Sequence, residues 1–222
     1  MKLQLTKESE KWRTVKKLGS LLGITEDINR RKQLSMVAQH KLKNVWIRNN
    51  RIGQATKLKL YQTFVKSILI YNSGTWGPTQ KDENDLDGFH RKQLRQVLNV
   101  KYPVTMRNET VYRLTQEEML SITLLRNRWK LFGHVLRMHK ETPAYKSMLH
   151  YFSRSNAPRF RGRPRMNLPA KLDQDLGRYC VDPVQLKSLD DLHSLEMVAN
   201  DREQWKTLTD GMCVAAKAAK KI

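Results

Sequence analysis

INRRKQLSMVAQHKLKNVWIRNNRIGQATKLKLYQTFVKSILIYNSGTWGPTQK, residues 28–81, carries Arg30, Arg31, Lys32, Lys41, Lys43, Arg48, Arg51, Lys57, Lys59, Lys66 and Lys81 and not one Asp or Glu. Between the charges stand Leu34, Ala38, Leu42 and Val45, then Leu58, Tyr61, Val65 and Ile68. That spacing puts each set on one helix face, so the stretch predicts two consecutive helices that bury an apolar stripe and turn their cations outward. Mixed signs would serve solubility as well. An exterior of one sign asks for an anionic polymer, and nucleic acid is the expected partner.

The whole chain shares this bias. Its 222 residues hold 42 Lys and Arg against 21 Asp and Glu, a formal net charge of +21, and the resulting field speeds association with polyanions and makes it salt-sensitive. The length suffices for one or two domains with a sizeable core. Two cysteines, Cys180 and Cys213, cannot make a disulfide framework. Met1 to Lys17 alternates charged and apolar residues, unlike a signal peptide, and the greasiest patch, Ile68 to Tyr71, is far too short to span a bilayer. The expectation is an intracellular, nuclear protein without membrane contact.

Working outward, the predicted elements are mainly helical. Trp12 to Leu22 reads as a short strand or hairpin, with turns at Gly19 and Gly23. Thr25 is the expected cap of the first long helix, with Glu26 and Asp27 at its positive end. That helix runs to about Ile47 and ends at Asn49, Asn50 and Gly53. The second covers roughly residues 55–71 and stops at Asn72-Ser73-Gly74. The third follows Thr79, with acids from Asp82 to Asp87 early, Arg91, Lys92 and Arg95 late, and Leu86, Phe89, Leu94, Val97 and Leu98 as its apolar face. Three helices on short loops make a small bundle. After a break at Tyr102-Pro103, Asn108 is expected to cap a short helix. Thr115 and Glu118 then have the spacing of a capping box, opening a long helix through Ile122, Leu125, Trp129, Phe132 and Leu136. Later helices are expected over residues 143–152, 168–179, 184–198 and 201–212. An acid-free Arg/Pro/Asn/Gly stretch interrupts them at residues 153–169.

Several short segments stand out in this order: Lys16-Lys17-Leu18-Gly19-Ser20-Leu21-Leu22-Gly23, Phe64 to Trp76, Phe89-His90-Arg91-Lys92-Gln93-Leu94-Arg95, Phe132-Gly133-His134-Val135-Leu136-Arg137-Met138, Arg161-Gly162-Arg163-Pro164-Arg165, and Asp201-Arg202-Glu203-Gln204-Trp205. Together they resemble the C-terminal end of reverse transcriptases encoded by non-LTR (LINE-type) retrotransposons, over roughly Trp12 to Trp205. The resemblance implies that Lys17-Leu18-Gly19 is the primer-grip hairpin closing a polymerase palm. It implies that Ile28 to Leu98 is a thumb holding template and primer, and that the rest is a post-thumb extension. The aromatic-x-Asp-Asp metal site of such a palm would lie upstream, and the chain is expected to begin too late to contain it. Asp190-Asp191 reads instead as a helix N-terminal cluster.

Asp173, Asp175, Asp182, Asp190 and Asp191 with Lys187 could be imagined as a two-metal nuclease set, which needs converging carboxylates; a solvated face is the plainer reading. Cys180, His193 and Cys213 are too scattered for zinc. Arg161-Gly162-Arg163-Pro164-Arg165 is held extended by its proline and resembles the core of an AT-hook, although Phe160 stands where that motif usually has proline. A·T minor-groove readout, nonspecific phosphate contact and a solvated linker all stay open for it. His134, beside Trp129 and Arg137, reads either as a phosphate or base contact or as a core or capping histidine. The five tryptophans could serve as stacking platforms, but four fall on or near apolar stripes, and core packing is the plainer reading.

The sequence thus predicts a mainly α chain. It comprises a remnant of palm and primer-grip β-hairpin over 1–24, a thumb-like helical bundle over 25–100 and post-thumb helices over 101–152. A basic Arg/Pro linker over 153–169 and C-terminal helices with a basic tail over 170–222 form the basic helical extension. Its expected partners are RNA, DNA or an RNA/DNA hybrid, and an upstream polymerase half. No catalytic residue, metal or cofactor of its own is expected. The candidate contacts are Lys16, Lys17, Gly19, Arg30, Arg31, Lys32, Lys41, Lys43, Arg48, His134, Arg137, Arg159, Arg161, Arg163 and Arg165. The rival readings are a stand-alone AT-hook-like DNA-binding protein, a nuclease, and a retrotransposon relic without function.

Overall fold

A computed structural model of the chain describes residues 12–153, 166–180 and 185–220. Helices dominate, and one short antiparallel hairpin lies near the N-terminus. Contacts divide the chain into two units, one formed by residues up to Asn72 with Gln80–Ser121, the other by Ser73–Thr79 with the residues from Ile122 onward. The break expected at residues 100/101 falls inside the first unit. There Arg95 Nη2 donates to the Met106 carbonyl at 3.0 Å and to Asn108 Oδ1 at 2.7 Å, tying the segment after Pro103 back to the bundle.

In the first unit, β1 (Lys16–Lys17) pairs with β2 (Ser20–Leu21), Lys17 opposite Ser20. Between them Leu18 and Gly19 both have positive φ, 47° and 81°, as a tight two-residue hairpin turn requires. α1 (Ile24–Leu42) continues through a π-helical turn, Lys43–Ile47. α2 (Gln54–Tyr61) passes through a second π turn, Gln62–Lys66, into Ser67–Leu69. α3 (Gln80–Val97) and α4 (Asn108–Thr115) follow. The helix limits lie near those expected, but several caps differ. Gly23 and Arg107 precede α1 and α4 without a side-chain cap, in place of Thr25 and Asn108. The Thr115 hydroxyl donates back to the Val111 carbonyl at 2.8 Å, and the next helix, α5 (Leu120–Leu136), begins five residues further on, so Thr115 is not its cap. Its early donors turn to α3, where the Asp87 carboxylate accepts from the Ser121 amide and hydroxyl at 2.9 and 2.7 Å.

α1 buries a different stripe from the one its hydropathy predicts. Asp27, Ile28, Arg31, Ser35 and Gln39 face inward, while Leu34 and Val45 are 39% and 61% exposed. A polar network takes the place of an apolar seam. Gln93 of α3 donates through Nε2 to Ser35 Oγ at 2.9 Å, and Gln39 Nε2 donates to the Gln93 carbonyl at 3.1 Å. Tyr61 of α2 lies 2.7 Å from Nδ1 of His90, which is fully buried. The Tyr61 hydroxyl also donates to Gln93 Oε1 at 3.2 Å, and on the other side of the ring His90 Nε2 lies 3.7 Å from the Glu117 carboxylate. Glu117 also accepts from Gln62 Nε2 at 2.9 Å and pairs with Lys66. Apolar contacts from Tyr61, Val65, Leu69, Leu86, Leu94 and Val97 surround this network.

The second unit contains most of α5 with α6 (Pro143–Ser153), α7 (Leu168–Tyr179), α8 (Leu189–Asn200) and α9 (Arg202–Ala219). The helix expected over residues 184–198 begins only at Leu189, and the one expected over 201–212 continues to Ala219, while α7 keeps its expected limits. Asn167 Oδ1 accepts from the Ala170 amide, Ser188 and Asp191 form a reciprocal capping box, and Asp201 caps α9. The core is aromatic: Trp129 packs against Phe132 and Trp205, with ring centroids 5.7 and 5.5 Å away. A buried ion pair ties α5 to α7, Arg128 Nη2 lying 2.8 Å from Asp175 Oδ2. Among the described residues, no helix is long and apolar enough to cross a membrane.

Glu117 makes the first unit acid-sensitive. Burial alone would push its carboxyl up, but the His90 ring, Lys66 and Gln62 outweigh this and hold it at about 2, below its ordinary 4.5. A carboxyl lowered by folding stabilises the fold fully above its ordinary value, and that contribution fades as pH falls from 4.5 toward 2. Glu117→Gln is expected to cost about 3 kcal/mol at pH 7, because Lys66 is left without its partner charge. It should also flatten the acid limb of the stability curve. Urea denaturation of both proteins across that pH range checks both effects.

Candidate nucleic-acid interface

The hairpin turn is held by side chains from outside it. The Gly19 carbonyl accepts from Arg30 Nη1 at 2.8 Å and from Arg31 Nη2 at 2.6 Å. Arg31 Nη2 also donates to Ser20 Oγ at 2.9 Å, and its guanidinium lies 4.4 Å over the Tyr71 ring. Tyr71 Oη donates to the Leu18 carbonyl at 3.1 Å. Asp27 completes the cluster: its Oδ1 accepts from the Leu21 amide at 2.9 Å and lies 3.6 Å from Arg31 Nε. The turn carbonyls thus meet two guanidinium groups and a phenol, and the left-handed backbone at Leu18, costly for a residue with a side chain, is fixed. The tip carries Leu18, 87% exposed, with Lys16 and Lys17 exposed beside it.

This geometry divides the expected contacts into two groups. Arg31 is buried and Arg30 half-buried, and both are spent on the Gly19 carbonyl, so they position the hairpin from within. Lys66 is engaged with Glu117 and Lys57 is buried; the stretch 28–81 therefore does not turn every cation outward. Lys41 and Arg48 are exposed and Lys32 and Lys43 half-exposed.

Three of these four meet partners that spacing along the chain could not reveal. A groove of about 550 Å³ between α1 and α3 is lined by apolar Met36, Val37 and Phe89 together with Lys41, Lys43 and Lys92. A smaller cleft of about 130 Å³ gathers Lys43, Arg48 and Lys101. Lys92 and Lys101 are the additions. Lys92 is readable as a late-turn helix charge, but only the packing of α1 on α3 brings it beside Lys41. Lys32 is not in the lining, but its Nζ lies 6.0 Å from the ring centre of Phe89, which is. Apolar side chains interleaved with ammonium groups suit a sugar–phosphate backbone, with its hydrophobic sugar faces and anionic edges.

In the second unit His134 is exposed on α5, while Arg137 Nη1 donates to the Ala199 carbonyl at 2.9 Å. Arg159, Arg161, Arg163 and Arg165 lie outside the described residues, as does Asp182. The other acids of the imagined nuclease set have structural partners. Asp175 pairs with Arg128, Asp173 accepts from the Leu186 amide at 2.9 Å, and Asp191 caps α8 with Asp190 beside it in the first turn. Trp76, Trp129 and Trp205 are buried, whereas Trp46 is partly exposed. Among the described residues, no group of three or more His, Cys, Asp and Glu side chains could hold a metal ion. No protein-family profile, curated protein or solved structure matches the chain.

The buried and surface cations should separate by stability. Arg31→Ala is expected to cost about 2–3 kcal/mol, since charge-assisted hydrogen bonds to the turn are lost and Asp27 stays buried. Lys41→Ala should stay within about 0.5 kcal/mol of the parent. Guanidinium denaturation checks this; equal stabilities would refute the clamp.

Proposed function

We infer that the chain is the nucleic-acid-holding C-terminal part of a non-LTR retrotransposon reverse transcriptase, comprising primer grip, thumb and post-thumb extension. The observation that carries the reading is the clamped turn. It presents an exposed leucine and two exposed lysines at the place where the resemblance calls for a primer grip. A strained, over-determined turn is the kind of element found where a ligand must be positioned rather than merely attracted. The groove between α1 and α3 supports the same reading, since cations interleaved with apolar side chains grip a backbone without reading bases.

On this reading the hairpin tip sets the primer terminus while the groove lysines hold the phosphates of an RNA/DNA hybrid. The chain binds and orients, and the catalytic aspartates of polymerisation belong to the palm. A nuclear location follows from a role on genomic DNA and its RNA template.

With about six cations on phosphates, the log–log salt slope of binding to an RNA/DNA hybrid should be near −5. Removing two groove charges, by Lys41→Ala with Lys43→Ala, should flatten it by about 2. Fluorescence anisotropy across a salt series measures both. Salt-insensitive binding, or an unchanged slope in the double variant, would overturn the reading.

A further inference from the structure

Two motifs that the sequence singles out and the thumb leaves unused meet in the second unit. Gly133 of α5 lies flat against Trp205 of α9, and a Cβ at residue 133 would stand 2.2 Å from Trp205 Nε1. That nitrogen donates to the Trp129 carbonyl at 3.0 Å, so the indole is fixed edge and face. The contact opens onto a cleft of about 440 Å³, within the roughly 300–1,000 Å³ usual for small-molecule sites.

Its walls are cationic. From α5 come Lys130, His134 and Arg137, at positions that share one helix face. From α9 come Arg202 and Lys206, one turn apart, with Asp210 the one acid in the lining. Among the described residues, no ion pair joins Lys130, Arg137, Arg202 or Lys206 to a carboxylate. Arg137 is anchored by its bond to Ala199, so its guanidinium is pre-placed. Like charges gathered in a concavity repel one another and focus a positive potential there. Trp205 is only 4% exposed, packed at tilted angles against Trp129 and Phe132, so little of its ring is open for a base to stack on. The cleft is therefore suited to a phosphate.

We propose that this cleft is a second nucleic-acid site that takes a phosphodiester unit of a single strand between Lys130 and Arg137 on one side and Arg202 and Lys206 on the other. The choice of nucleic acid as the source of the phosphate rests on the function inferred above. A flexible strand lowers one nucleotide into a concavity of this size, whereas a duplex, with a persistence length of about 50 nm, meets only its rim.

The test is fluorescence anisotropy of the full chain with short labelled oligo-dT. Arg202→Ala with Lys206→Ala is expected to weaken binding about tenfold at near-physiological salt and to flatten the salt slope by about 1.4, the share of two contacts on a single strand. Asp210→Asn removes the one opposing charge and should tighten binding about threefold, a gain that misfolding could not produce. Lys140→Ala, exposed and outside the cleft, should change affinity by less than about twofold. If the cleft variants bind like the parent while Lys41→Ala with Lys43→Ala loses affinity, the cleft is not a site and the inferred function stands. If Lys140→Ala reproduces the loss, bulk charge explains it and the proposal falls. If the parent chain does not bind oligo-dT the proposal also falls, and hybrid binding in the same assay decides separately whether the inferred function falls with it.

Discussion

The Arg31 guanidinium can leave water only because the Gly19 carbonyl, Ser20 Oγ, Asp27 and the Tyr71 ring surround it. A buried charge without such a shell costs several kcal/mol, and removing one partner exposes that cost. The arrangement couples parts of the chain far apart in sequence, since hairpin, α1 and the end of the second helix must all be in place for any of them to be satisfied. Much of the first unit follows the same rule. Glu117 is buried among Lys66, Gln62 and His90, and Gln93 among Ser35 and Gln39. Such networks demand one register of helix against helix, because a slip of a single residue leaves several polar groups unpaired at once.

This constraint divides the cations of a very basic chain between two tasks. Arg30, Arg31 and Lys66 complete internal shells, and Arg128 does so in the second unit with Asp175. The remainder stay near water and collect where helices meet, as Lys41, Lys43 and Lys92 do round Phe89. Net charge alone cannot make this division, because it counts a clamped guanidinium and a free ammonium equally. Packing decides which of them a phosphate can reach.

Much of the fold was legible in the sequence where local signals govern. The limits of α6 and α7, the end of the second helix shortly before Asn72, the Asp201 start of α9 and the N-terminal placement of Asp190-Asp191 all rest on caps, prolines and turn formers that act within a few residues. The buried stripe of α1 was not legible. Periodicity scores Leu34, Ala38, Leu42 and Val45 as core, and it has no means of knowing that Ser35 and Gln39 will find Gln93 more than fifty residues away. Thr115 failed as a cap for a related reason, since Gln116 takes a left-handed conformation and ends α4 just after it. Of the site, Lys16, Lys17, Lys41 and Arg48 could be read directly as exposed cations. Arg31 was right in its charge and misplaced in its role, and Lys92 and Lys101 join the surface only through tertiary proximity.

The misread stripe also explains the character of the groove. Because polar groups occupy the inner face of α1, its apolar residues are displaced outward, and Met36 and Val37 lie open to solvent among lysines. Exposed apolar area next to cations has little to recommend it for stability, and a purely charged lining would attract polyanions as strongly. On the function inferred above, what the combination adds is a surface that rewards close seating, because sugar faces would shed water only when the backbone settles against Met36, Val37 and Phe89. A polar interior that fixes helix register and an apolar exterior that favours seating are therefore one design, set by the pattern that places Ser35 and Gln39 inside and their neighbours out.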